Sequence, residues 1–112
     1  MATDQQIVDT FQNTVANTAE VAFTSPITST GTLITAIVAS NGTAVDRSYQ
    51  AYIVSSGGSA TNPQVPARTV VKKKTDVPPE LAGQVIPAGG TLQFESSAIS
   101  SITFTVSGRN LT

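Results

Sequence analysis

The feature that most constrains this chain is a two-residue rhythm. In Ile102-Thr103-Phe104-Thr105-Val106-Ser107, large apolar side chains alternate with small hydroxyls, and Thr91-Leu92-Gln93-Phe94-Glu95-Ser96 repeats the pattern. Successive side chains of a β-strand point to opposite faces, so both runs read as strands with Leu92, Phe94, Ile102, Phe104 and Val106 turned inward. Between such runs lie turn signals: Ser25-Pro26, Asn41-Gly42, Ser56-Gly57-Gly58-Ser59, Pro78-Pro79 and Pro87-Ala88-Gly89-Gly90. Further strands are expected at Val21–Thr24 and Thr32–Ser40. Arg47–Ser55 adds another, with Tyr49, Ala51 and Ile53 on one face and Tyr52 on the other. Ala67–Val77 reads as a strand or an extended arm, and residues 80–86 as a short link, one helical turn and then a strand. The result is an all-β chain: a single antiparallel β-sandwich, jelly-roll-like, of six to eight short strands over residues 20–112.

Residues 1–19 differ. Thr3 and Gln6 match a capping box, Asp4 suits a helix N-terminus, and Ile7, Phe11 and Val15 are spaced i, i+4, i+8 as one helical stripe. Thr10, Asn13, Thr14 and Asn17 are poor helix formers. The segment is therefore expected as a short helix or an extended N-terminal arm.

Composition narrows the function. The 112 residues include neither Cys nor His nor Trp. That excludes thiolate and imidazole metal ligation, Ser-His-Asp and Cys-His triads, and disulfide staples. Only 12% of residues are charged, about half the usual share of roughly 25%. The seven acids show no pairing on one face of one element, as a glycosidase would need. Neither a P-loop nor a G-x-G-x-x-G is present, and Gly57-Gly58 and Gly89-Gly90 lack the helix start of a phosphate cradle. No cofactor and no catalytic residue is expected, so the chain reads as a non-enzyme. The longest apolar stretch is shorter than the roughly 20 residues of a membrane helix, and MATDQQIVDT does not read as a secretory signal.

The net charge is −1, yet the charge is lopsided. Arg68, Lys72, Lys73 and Lys74 crowd four of the six bases into seven residues, whereas the first 46 residues hold four acids and no base. The cluster reads either as lysine protection of an edge strand or as an electrostatic contact, to an acidic protein partner or to the chain's own acidic N-terminal half. No aromatic residue interleaves with it to stack a base, so nucleic acid is not the expected partner.

Phe-Thr-Ser-Pro is followed by Gly-Thr-Leu-Ile, a Tyr-containing strand, Ile86-Pro87-Ala88-Gly89-Gly90-Thr91-Leu92, and the closing Ile102-Thr103-Phe104-Thr105-Val106-Ser107-Gly108-Arg109. This order resembles that of small all-β virion proteins of tailed bacteriophages. It spans residues 20–112 and implies a structural role. The expected protein is made in the host cytoplasm and sits on the capsid surface of the virion. There it would act as a decoration or cement protein, a homo-oligomer (dimer or trimer) bound to the major capsid protein or other virion proteins. A neck, tail or fibre-associated module is the alternative, and a carbohydrate-binding sandwich a third. The expected interface residues are Ile7, Phe11, Val15, Arg68, Lys72, Lys73 and Lys74.

Overall fold

A computed structural model describes residues 5–112. Nine strands follow one another: β1 (Gln5–Phe11), β2 (Glu20–Thr24), β3 (Gly31–Asn41), β4 (Arg47–Val54), β5 (Val65–Val70), β6 (Thr75–Asp76), β7 (Val85–Ile86), β8 (Thr91–Ser96) and β9 (Ile102–Leu111). One sheet has the order β1-β9-β3-β6, with β7 also paired to β3, and the other β2-β8-β4-β5. All pairings are antiparallel. Leaving out the two-residue β7, the first strand pairs with the last, the second with the second last, the third with β6 and the fourth with β5. This is one long hairpin rolled upon itself, the jelly-roll order.

The alternating runs behave as their sequence dictates. In β8 and β9 Leu92, Phe94, Ile102, Phe104 and Val106 are buried, as are Ile34, Ile37 and Ala39 of β3 and Tyr49 and Ala51 of β4. Tyr52, on the other face of β4, is also buried; its hydroxyl bonds Gln50 and Glu95.

The structure settles one expectation and corrects two. Of the two forms expected within residues 1–19, the described part takes the extended one and not the helix: Gln5–Phe11 is an edge strand held to β9 through seven consecutive register positions. Thr3 and Asp4 of the expected capping box lie outside the described residues. A spacing of four is two strand periods as well as one helical turn, so Ile7 and Phe11 share a strand face too. Second, Ala67–Val77 is not one strand. It is cut at Val71–Lys74, where Lys73 takes φ 58°, and its halves β5 and β6 belong to different sheets. The three lysines therefore sit in a turn and not on an edge strand. Third, residues 80–83 are turns and form no helix before β7. Residues 20–112 hold eight strands, β2 to β9, within the six to eight expected, and β1 brings the described total to nine.

A continuous series of contacts crosses the sandwich. Phe11 lies 6.2 Å from Phe94, Phe94 stacks on Phe104 at 3.9 Å and 6°, and Tyr49 meets Phe104 edge-on at 5.2 Å. The Tyr49 hydroxyl then donates to Asp76 Oδ2 at 2.8 Å. Arg68 grips the same carboxylate with Nε at 2.8 Å and Nη2 at 2.9 Å. From Phe11 to Arg68 the series links β1, β8, β9, β4, β6 and β5, stepping between the two sheets. Burial, then the Asp76 hydrogen bond, pushes the Tyr49 hydroxyl up, while the Arg68 guanidinium holds the Asp76 carboxyl below the usual carboxylate range.

Glycine is required where β9 is hemmed in by its neighbours. At Gly108, opposite Ile7 and the β3 bulge between Ile34 and Ala36, a Cβ would stand 2.4 Å from the Leu33 carbonyl oxygen.

Phe94→Ala should cost about 3–5 kcal/mol of unfolding free energy and Gly108→Ala about 1–3 kcal/mol, both measured by urea denaturation. Asp76→Asn should cost about 1–3 kcal/mol at neutral pH, because Arg68 and Tyr49 lose a charged acceptor. A carboxyl whose pKa is lowered by folding stabilises above its unfolded value, about 3.9, and that contribution is lost as pH falls through the folded value. The gap between wild type and Asp76→Asn should thus close on acidification below about pH 4.

Candidate interaction surface

The topology gathers loops at two ends of the sandwich. At one end β1–β2 (12–19), β8–β9 (97–101), β3–β4 (42–46) and β5–β6 (71–74) each cross from one sheet to the other. The strand orders of the two sheets run in parallel, so these four connections stand side by side in that sequence across the end. Each carries one exposed β-branched aliphatic side chain: Val15 at 51%, Ile99 at 58%, Val45 at 55% and Val71 at 50%.

Buried polar side chains hold these loops. Asn13, 1% exposed, donates through Nδ2 to the Phe94 carbonyl at 2.8 Å and to Glu20 Oε1 at 3.2 Å. Glu20 accepts from the backbone N–H of Thr14 and Val15 and from the Thr14 hydroxyl. Those donors, the Thr14 hydroxyl first, pull its pKa down to about 2. Asn41, also 1% exposed, donates to the carbonyls of Val45 and Val70 at 2.9 Å, while its Oδ1 accepts from Thr43 N–H and hydroxyl. The Ser96 and Ser101 hydroxyls both donate to the Ala98 carbonyl.

Neighbouring loops are also tied to each other. Ser100 N–H donates to the Asn13 carbonyl, Lys73 N–H to the Thr43 carbonyl, and Lys72 N–H to Asp46 Oδ1. The end is a hydrogen-bonded platform, not four separate loops.

Backbone conformation marks this end as well. Among the described residues, the non-glycine positions with positive φ are Asn17 (57°), Lys73 (58°) and Ser100 (49°), all in these loops. The glycines with positive φ, Gly31, Gly57, Gly83 and Gly89, all lie outside them. A side chain in the left-handed region costs roughly 1–2 kcal/mol more than glycine, so the platform retains side chains where glycine would relieve strain.

Of the seven residues singled out by sequence, Val15, Lys72, Lys73 and Lys74 come together on this platform, Val15 at one side and the lysines at the other. No described carboxylate lies within ion-pair distance of the three lysines; Lys73 Nζ donates to the Gly42 carbonyl at 2.8 Å. The other three lie elsewhere. Ile7 is half-buried in β1, Phe11 packs on Phe94 in the core, and Arg68 is spent on Asp76, with Glu80 3.7 Å away. Sequence reading passed over Ile99, Val45, Val71, Asn13 and Asn41. The single usable signal was Asn41-Gly42, read as a turn, since grouping the rest requires the strand order.

Elsewhere, an open depression of about 310 Å³ is lined by Tyr52, Val54, Ser59, Asn62 and Gln64. Among the described residues no three carboxylates converge as metal ligands would.

Asn41→Ala would remove the side-chain donor from the Val45 and Val70 carbonyls and leave Thr43 N–H without its acceptor, with the Thr43 hydroxyl still able to reach Val45. It should cost about 1–3 kcal/mol and speed amide exchange at Thr43 and Lys73, read by NMR, more than at β8. For Glu20→Gln, the stability lost relative to wild type should be full above pH 4.5 and fade toward about pH 2, where the wild-type carboxyl protonates.

No family model and no curated protein matches the sequence. A solved chain from Bacillus endospore appendages, described as a family of disulfide-linked pili, is similar in structure: TM-score 0.51, 14% identity, covering 99% of this chain and 93% of that one. At that identity the likeness speaks for the fold, a β-sandwich.

Proposed function

We propose that this chain is a non-enzymatic virion structural protein that binds the outer capsid surface and cements neighbouring major capsid subunits. The observation that carries this reading is the loop platform. Four aliphatic side chains and three lysines without a described carboxylate in ion-pair range stand exposed on a backbone held by buried asparagines and a carboxylate. Rigid presentation of apolar and charged groups suits a docking surface, because little ordering entropy remains to be lost on contact. The resemblance of residues 20–112 to small all-β virion proteins of tailed bacteriophages supports the same reading. A cement protein bound at the seam between subunits stabilises the shell by mass action, since breaking the shell also breaks its contacts. The proposed working form is a homo-oligomer, dimer or trimer, matched to the symmetry of the shell.

A second reading is a neck, tail or fibre-associated module, which the same β-sandwich and loop platform would also serve. With no cysteine in the sequence, any such assembly would be held without disulfides. A carbohydrate-binding role finds less support: all six aromatic rings are buried or half-buried, spent on the core instead of a sugar platform.

Copy number per purified particle, by quantitative mass spectrometry against the major capsid protein, separates these readings. Cementing predicts a ratio of one per capsid subunit or a simple fraction of it. About a dozen copies or fewer would move the chain to the neck or tail, and absence from particles would overturn both virion readings.

A further inference from the structure

We infer that the loop platform docks end-on into a partner protein's apolar groove bordered at one end by carboxylates; this rests on the structural role proposed above. The row Val15, Ile99, Val45, Val71 follows the strand order across the sandwich, and adjacent strands lie about 4.8 Å apart. The four crossings thus present their aliphatic side chains in turn along that end, a ridge that a groove or shallow trough would cover.

Charge gives the ridge a direction. Lys72, Lys73 and Lys74 sit on the same loop as Val71, at one end of the row. The two carboxylates on the platform, Glu20 and Asp46, are already bonded to loop backbone N–H groups. The complementary surface therefore has acids beside the Val71 end and apolar groups along the rest. A second copy of the same platform does not fit, because it offers lysines and no uncommitted carboxylate. A phosphate backbone would satisfy the lysines but leave the aliphatic row in water.

Shape fixes the posture. The molecule measures 48 × 25 × 21 Å, and the long dimension runs along the strands, since the eleven residues of β3 alone span about 36 Å. Docking through the platform stands the sandwich upright and points the opposite end, with Ile27 and the Gly57-Gly58 turn, away from the partner. The end-on cross-section limits the contact to roughly 500 Å² per side, less than the roughly 800 Å² of a standard interface. Each residue of the ridge then carries a large share of the binding.

The test is co-sedimentation of purified chain with purified particles assembled without it. Val45→Asp and Ile99→Asp should each weaken binding tenfold or more. Lys72→Glu combined with Lys74→Glu should do the same and reverse the salt dependence, so that added salt no longer weakens binding. Lys73→Gly should weaken binding while leaving the melting temperature unchanged or raised, a combination that a purely structural lysine would not give. Val8→Asp on the outer face of β1 and Ile27→Asp at the opposite end are both exposed and should bind as wild type. Circular dichroism checks folding, and the lysine variants keep the test open if an aspartate variant fails to fold. Wild-type binding that the platform variants do not alter, or that Val8→Asp or Ile27→Asp removes, overturns this inference alone. Failure of the wild type to bind overturns it together with the proposed function. Tight binding to duplex DNA that is lost with the lysines and indifferent to Val45→Asp would assign the lysines to a polyanion and also overturn it.

Discussion

The structure depends on one unbroken line of contacts from Phe11 to Arg68. A five-stranded and a four-stranded sheet face each other, and this chain has no cysteine to staple one to the other. The Phe11, Phe94, Phe104 and Tyr49 rings supply the apolar part of that link, and the Tyr49 hydroxyl passes it to the Asp76–Arg68 pair at the far edge. Tyrosine suits the junction because it packs as an aromatic and still donates a hydrogen bond. The ion pair is only partly exposed, with Arg68 at 32% and Asp76 at 20%, so solvent screens it less than a surface pair. It joins β5 to β6 after the Lys73 turn has parted them.

The buried polar residues have a clear distribution. Asn13, Asn41, Ser96 and Ser101 are at the platform end, and Ser25, Thr32 and Asn110 form a hydrogen-bonded cluster at the other, with Thr32 hydroxyl 2.8 Å from both Ser25 and Asn110. The middle of the sandwich is apolar. Strand ladders satisfy their own backbone groups, whereas crossings between sheets leave carbonyls and N–H groups that side chains must meet. The two ends solve that problem differently. Glycine takes the left-handed positions outside the platform, and Asn17, Lys73 and Ser100 take them on it.

The fold was legible where one periodicity had one meaning. Alternation in Thr91–Ser96 and Ile102–Ser107 placed the inward side chains of β8 and β9, because an antiparallel sheet packed on one face imposes period two. Ile7 and Phe11 misled because a spacing of four satisfies strand and helix alike. Nothing in residues 67–77 announced the break at Lys73, where a lysine occupies a conformation usually reserved for glycine or asparagine. The platform was half legible: Val15 and the lysines drew notice as separate features 57 residues apart in sequence. That they share one end of the molecule follows from the jelly-roll order, which pairs strands remote in sequence and which no local pattern encodes. Ile99, Val45 and Val71 were passed over for the same reason, since single exposed aliphatics are ordinary until topology lines them up.

The platform joins these strands of argument. The spine sets the sheets, the sheets set the crossings, and buried amides hold the crossings so that aliphatic and lysine side chains face outward together. The most direct test is a cryo-electron microscopy reconstruction of the chain bound to its particle, at a resolution that separates strands. The account predicts an upright sandwich with residues 12–19, 42–46, 71–74 and 97–101 against the partner and the Gly57-Gly58 turn distal. A sandwich lying on the outer face of either sheet, or docked through its opposite end, would contradict it.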